Sequence, residues 1–229
     1  MYRLIVAHAE NIIIKNNLED LKPLNFDMEM QSQIAALEGR VPKLALHSCC
    51  AVCSSSVIER LSPYFNITVL YYNPNIWPRE EYELRRSEQQ RLIRETHYPN
   101  PVTYADLDYN HSEFITAATG LEQEPEGGAR CIKCFDLRLE RTARFAVDIG
   151  AEFFCSTLTV SPHKNPILIN ECGELAAQKY GIKWLLSDFK KRNGYLRSTQ
   201  LAQEYDIYRQ NYCGCEFALA QQNERNAEK

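Results

Sequence analysis

The chain has 229 residues and a mass of 26.5 kDa, enough for one large domain or two small ones. Its 45% hydrophobic and 24% charged content, with only 9 Gly and 10 Pro, excludes collagen-like, mucin-like and disordered classes. Lys and Arg number 26 against 30 Asp and Glu, a formal net charge of −4; nucleic acid gripped by bulk charge calls for a basic protein, so any such partner must be held by a local patch.

No apolar run approaches the ~20 residues of a membrane span, and no short apolar segment follows a basic start. The expectation is a soluble, cytoplasmic protein. Residues 1–40 come first and carry no evident chemistry. Leu4-Ile5-Val6 and Ile12-Ile13-Ile14 are apolar clusters among polar residues, and residues 25–37 suit one helix. This stretch reads as an N-terminal extension packed on a single domain formed by residues 41–229.

A βα rhythm starts at Val41. The apolar run 43–47 predicts a strand, 49–53 a loop, and 54–61 a helix opened by serines that can cap it. Residues 67–72, rich in β-branched and aromatic side chains, predict a second strand. Asn73-Pro-Asn-Ile-Trp-Pro78 breaks it with turn residues, and Pro78 suits the start of a helix over 79–95. The i,i+4 charge pairs of that helix, such as Glu81–Arg85, mark it as a surface element.

Further along, 101–107 predicts a third strand, 112–118 a short helix and 120–128 an acidic glycine-containing loop. Apolar residues at helical spacing predict a helix over 132–149, ended by Gly150. A fourth strand (152–158), a helix (167–180), a fifth strand (183–186) and a last helix from about Phe217 complete the pattern. Strands alternating with helices predict an α/β fold with a mainly parallel sheet flanked by helices on both faces.

Nine cysteines stand out, six of them in close pairs: Cys49-Cys50, Cys131-x-x-Cys134 and Cys213-Gly-Cys215. In a reducing compartment, clustered thiols indicate metal, iron–sulfur or redox chemistry. Cys49, Cys50 and Cys53 fall just past the carboxyl end of the first strand, where open α/β sheets collect ligands. A phosphate-binding protein would carry glycines there; this chain carries thiols. Cys131 and Cys134 project from one face at a helix start, where the helix dipole lowers thiol pKa, with Arg130 alongside to offset negative charge. Cys49, Cys50, Cys131 and Cys134 together make a Cys₄ site for a [4Fe–4S] cluster. Structural zinc is the competing reading, disfavoured because adjacent cysteines suit its tetrahedral spacing poorly. Cys213 and Cys215 either close a strained, reducible disulfide or hold a second metal. Cys53 is a ligand of that second metal or packs beneath the loop, and Cys155 and Cys172 read as buried small hydrophobes.

Leu46-His-Ser-Cys-Cys-Ala51, Tyr71-Tyr-Asn-Pro-Asn75, Arg130-Cys-Ile-Lys-Cys134, Ser156-Thr-Leu-Thr-Val-Ser-Pro-His-Lys-Asn165 and Tyr208-Arg-Gln-Asn-Tyr-Cys-Gly-Cys215 resemble, in order, the cobalamin-independent epoxyqueuosine reductases. The resemblance spans residues 41–219. It implies reduction of epoxyqueuosine to queuosine at the wobble position of tRNA anticodons, the final step of queuosine biosynthesis. It also implies a fold akin to the adenine nucleotide alpha-hydrolase-like (HUP) group, and a [4Fe–4S] cluster on Cys49, Cys50, Cys131 and Cys134. Cys213 and Cys215 match a pair treated as a redox-active disulfide or as ligands of an adjacent second iron. Some members have an acidic residue at the position of Cys53.

Removing an epoxide oxygen takes two electrons and two protons, while a cluster carries one electron at a time. A second redox element and a small external donor, ferredoxin- or flavodoxin-like, are therefore expected, with a metal or acid to receive the oxygen. His163 and His47 are candidate proton donors, ahead of Tyr208 and Asp136; Asp136 reads as solvated. For tRNA the best patch is 190–197, where Lys190, Lys191 and Arg192 can hold phosphates and Tyr195 can stack on a base. A tRNA-sulfur transferase and a zinc-stapled binding module are the rival readings.

Overall fold

The computed structural model describes residues 24–227; the apolar clusters at Leu4–Val6 and Ile12–Ile14 lie outside them. Helix α1 (Phe26–Ala35) is capped by Asn25, whose side chain accepts from Met28 N–H. It lies against the main body: Met30 is in the core, and the Gln33 amide bonds the Trp184 carbonyl and the Leu186 N–H at 3.1 and 3.0 Å.

Five strands follow, β1 (Lys43–His47), β2 (Asn66–Tyr71), β3 (Val102–Asp106), β4 (Phe153–Ser156) and β5 (Lys183–Trp184). They form one sheet in the order β3-β2-β1-β4-β5, every pairing parallel. Parallel strands need crossovers, supplied by α2 (Ala51–Leu61), α3 (Arg79–Glu95), α4 (His111–Ala118), α5 (Ala129–Asp148) and α6 (Pro166–Tyr180). Right-handed crossovers send the chain from β1 toward β3 on one side and from β4 toward β5 on the other. Helices therefore cover both faces, and the order reverses between β1 and β4. At that switch point the carboxyl ends diverge and a crevice opens. Helices α7 (Gly194–Glu204) and α8 (Glu216–Ala227) close the chain. The core runs through the buried faces of β1, β2 and β4 with Phe65, Phe135, Leu139 and Trp184. Among the described residues, no helix is long and apolar enough to cross a membrane.

The α/β reading and its parallel sheet stand, with local corrections. The predicted loop 49–53 is partly helical: α2 starts at Ala51, and its cap is Cys50 in place of a serine. The fourth strand ends at Ser156 and passes into a 3₁₀ turn, Thr157–Val160, while β5 is two residues long. Helix α5 begins at Ala129, so Cys131 is already inside it. Helix α7 is new. Its entry carries no side-chain cap, and Arg192 and Asn193 adopt positive φ, so no capping signal announced it. Gly194 opens α7 because a Cβ there would sit 1.9 Å from the Phe189 carbonyl oxygen. Helix α3 is the expected surface helix with its Glu81–Arg85 pair, but the face that carries Arg85 and Gln89 is buried.

Candidate metal centre

Strand β1 delivers Ser48 and then the first thiols to the crevice. Cys50 has extended backbone and caps α2, its Sγ accepting from the Cys53 N–H at 3.4 Å. The turn this makes brings the sulfurs of Cys49, Cys50 and Cys53 within 4.8 Å of one another. Cys53 thus stands with its two neighbours, not beneath the loop. Cys49 Sγ is 3.7 Å from Thr157 Oγ1, just past β4, which puts this triad at the β1/β4 switch point.

Two further helix starts contribute thiols. Cys131 lies in the first turn of α5, where its Sγ accepts from the Gly127 N–H at 3.2 Å, and Cys134 follows one turn later, buried. Cys215 immediately precedes α8, and Ala218 N–H donates to its Sγ at 3.4 Å. Three helix N-termini, each partly positive, thus abut cysteine sulfur. Cys131, Cys134, Cys213 and Cys215 line a chamber of about 90 Å³ with Asn75, Arg138 and Lys164. Cys213, Arg138 and Lys164 also line a cleft of about 340 Å³ shared with Cys49 and Cys53. Cys213 therefore stands between the two groups of thiols. Gly214 beside it has φ +135, and a Cβ there would crowd Ile76, Arg85 and Asn75 at 3.1 to 3.4 Å.

Hydrogen bonds from the Cys50 and Cys53 thiols hold Cys49 well below the ordinary thiol pKa despite its burial, with Lys164 adding to the effect. The same sharing pushes Cys50 up to about 12 and Cys53 well above the usual range. Of the three thiols, Cys49 is thus the most acidic. Burial raises Cys131 and pushes Cys134 up to about 11 and Cys215 to about 12. The expected lowering at the α5 start is outweighed by this desolvation, so ligation would have to displace these protons.

The main counter-charge was missed in the sequence. Arg138, 2% exposed, donates from Nε to the Cys134 carbonyl at 3.0 Å. Burial disfavours its charge, but the sulfurs of Cys134, Cys213, Cys49 and Cys131 outweigh that and raise its pKa. Lys164 is held protonated against burial in the same way by Cys213, Cys49 and Cys53. Arg130 also lines the chamber, donating to the Leu121 and Glu122 carbonyls with its guanidinium 4.5 Å from the Phe217 ring. A signal for Arg138 existed: residues 131, 134 and 138 fall on one helical face.

These residues fit a thiolate-held, anionic metal group. Seven sulfurs converge with the buried Arg130 and Arg138 and the half-buried Lys164, and the Asn75 amide oxygen, in a side chain 2% exposed, has no partner in the protein. A buried orphan acceptor facing such a chamber calls for a metal ion or a protonated ligand as its partner. Gln210 adds a bond from Nε2 to Cys50 Sγ at 3.1 Å, leaving its own Oε1 unpartnered.

Other candidates separate. His47 is fully buried, with Nε2 donating to the Tyr72 carbonyl at 3.2 Å and Nδ1 accepting from Ser156 Oγ at 2.9 Å. Burial pulls its pKa down to about 3, so it is a neutral structural residue. The Tyr208 hydroxyl is committed to Glu81, and Asp136 is half-buried against Cys172 where solvation was expected. His163 alone of these lines both the cleft and the chamber. In the basic segment, Lys190 is spent on Asp188 at 2.9 Å and Arg192 on Asp27 at 2.8 Å, leaving Lys191 exposed. Tyr195, 44% exposed, lines the cleft with Cys49 and Cys53. Arg209, exposed on the rim of the same cleft, was not singled out from the sequence.

A family model described as epoxyqueuosine reductase QueH matches residues 44–221. The chain is 43% identical over 210 residues to the epoxyqueuosine reductase QueH of Streptococcus pyogenes serotype M1, spanning 90% of this chain and 82% of that protein. The Staphylococcus epidermidis protein of the same name is 42% identical over 205 residues, 87% of this chain and 86% of its own length. The Thermotoga maritima one is 36% identical over 187 residues, 80% and 93% respectively.

Proposed function

The chain belongs to the epoxyqueuosine reductase QueH family and is an oxidoreductase, and from that premise we propose that it converts epoxyqueuosine to queuosine at the wobble position of a tRNA anticodon. The reaction breaks both carbon–oxygen bonds of the epoxide; two electrons and two protons enter, and an alkene and water leave. The observation that carries this reading is the convergence of Cys49, Cys50, Cys53, Cys131, Cys134, Cys213 and Cys215 around Arg138 and Lys164 at the sheet's switch point.

Cys49, Cys50, Cys131 and Cys134 would hold a [4Fe–4S] cluster, which when bound supplies electrons singly. Cys213 and Cys215, with Cys53 nearby, provide the second redox element, as a dithiol or as ligands of a second iron. Arg138 and Lys164 balance the negative charge of the sulfurs. His163, at the junction of cleft and chamber, is placed to give a proton to the departing oxygen. The electrons come from a small ferredoxin- or flavodoxin-like donor in the cytoplasm. Residues 41–229 act as one reductase domain, with 1–40 as an extension.

The deciding experiment measures iron, zinc and acid-labile sulfide per chain in anaerobically purified protein, followed by an epoxide assay on tRNA. About four iron and four sulfide, with an absorption band near ~400 nm bleached by dithionite, are expected. Zinc without sulfide would replace this reading with the zinc-stapled one.

The 340 Å³ cleft is open enough to admit a splayed nucleotide, with Tyr195 at its wall. Tyr195→Ala should weaken tRNA binding about tenfold, within the ~1–3 kcal/mol a stacked base contributes, without altering the cluster's absorbance. Lys191→Ala should make the slope of log K against log salt shallower by about one, as for one lost phosphate contact. Because Lys190 and Arg192 are already paired, adding their substitutions should change the slope little. Filter binding across a salt series measures both variants, and unchanged affinity and slope would remove this face from the substrate path.

A further inference from the structure

One face of α3 reaches out to a length of chain without regular structure, residues 205–213, which leads into Cys213-Gly214-Cys215. Arg91 donates to the carbonyls of Tyr205 and Asp206, each at 3.0 Å. Glu88 accepts from the Tyr208 N–H at 2.9 Å, and Glu81 from the Tyr208 hydroxyl at 2.9 Å. Arg85 completes the row, donating to the Cys213 carbonyl at 3.1 Å and the Tyr212 carbonyl at 3.4 Å. Positions 81, 85 and 88 follow the i, i+4, i+7 spacing that aligns side chains along a helix.

Arg85 differs from the others in being 1% exposed. Its charge is met by Glu81 at 2.7 Å, and its guanidinium lies 5.2 Å from the Tyr212 ring. The two carbonyls it holds belong to the two peptide planes that flank the Cys213 Cα. Fixing both planes fixes the backbone dihedrals of Cys213 and hence the direction of its Cβ. The next peptide is also held, by Trp77 N–H donating to the Gly214 carbonyl at 2.8 Å.

We infer that Arg85 is the positioning residue of the Cys213–Cys215 pair, aiming the Cys213 sulfur between the two groups of thiols. The inference rests on the proposed part of that pair in the reduction. A guanidinium fork suits the task because its donors are rigidly spaced, whereas an ammonium is a point charge on a flexible stem.

The test uses the metal-loaded full chain. Arg85→Lys keeps the charge and loses the fork. The double variant Glu81→Gln/Arg85→Met removes the buried pair together, so neither partner is left uncompensated, and keeps an acceptor for the Tyr208 hydroxyl. Both should lower kcat about 10–100-fold, the range for losing a residue that orients a metal-site group, with KM little changed. Alkylation by iodoacetamide, read peptide by peptide, should accelerate about tenfold at Cys213 and stay constant at Cys131. Lysine rescue of both readouts would reduce Arg85 to a structural charge and overturn the inference. So would a double variant with normal kcat and normal Cys213 alkylation. The alkylation rate does not depend on turnover: if Cys213→Ser/Cys215→Ser turned over normally, the redox role of the pair would fall, while a changed rate at Cys213 would still establish the aiming role.

Discussion

Cys213→Ser/Cys215→Ser is expected to retain about four iron and four sulfide per chain and to lose at least ~10³-fold in turnover, as when one member of a cooperating catalytic unit is removed. Serine is the informative replacement. Cys215 Sγ accepts the Ala218 N–H at the start of α8, and a serine hydroxyl preserves that cap where alanine would expose the helix end. The fold should survive, and single-turnover and steady-state assays then report chemistry. A hydroxyl can neither form a disulfide nor replace a thiolate as a soft ligand. Normal turnover in this variant would confine the reaction to the first four cysteines.

The second large effect belongs to Arg138→Met, and its size should depend on the metal. In the metal-free chain most of the surrounding thiols are held protonated by burial. There, removing a buried guanidinium and substituting an apolar side chain should be close to neutral. Loaded with a thiolate-held cluster, the site becomes anionic and Arg138 is a fully buried cation facing it. Breaking a buried charge pairing of this kind costs about 3–5 kcal/mol. Denaturant titration of both forms under anaerobic conditions measures the difference. Wild-type stability in the loaded form, or an equal loss in both forms, would reduce Arg138 to a packing residue.

The legible parts of this protein were those whose signal is local. Residues 67–72 announce β2, which runs over Asn66–Tyr71, by branched and aromatic side chains in sequence, and α3 was readable to its ends from Pro78 and the charge periodicity. The thiols were legible because residue type is itself the chemical signal. Features made by bringing distant segments together were not. Gln210 reaches Cys50 across 160 positions. The Arg85 bonds to residues 212 and 213 cross more than 120, so the charges of α3 looked like ordinary solvated pairs. Where a rule failed locally, sulfur had taken another residue's place: Cys50 caps α2 where a serine was expected. The acidity expected of Cys131 and Cys134 failed for a different reason, since helix position is visible in sequence and depth of burial is not.

The chain order of these parts carries a consequence for biosynthesis. All five strands are complete by Trp184, and six of the seven site cysteines, all but Cys215, have been translated once Cys213 emerges. Residues 205–213 and α8 leave the ribosome after the sheet. A nascent chain therefore has its whole sheet, with the Cys49–Cys53 and Cys131–Cys134 thiols, before the strap that crosses α3 exists. Maturation of the centre can begin on a partly made protein, before Cys213 and Cys215 are added to it.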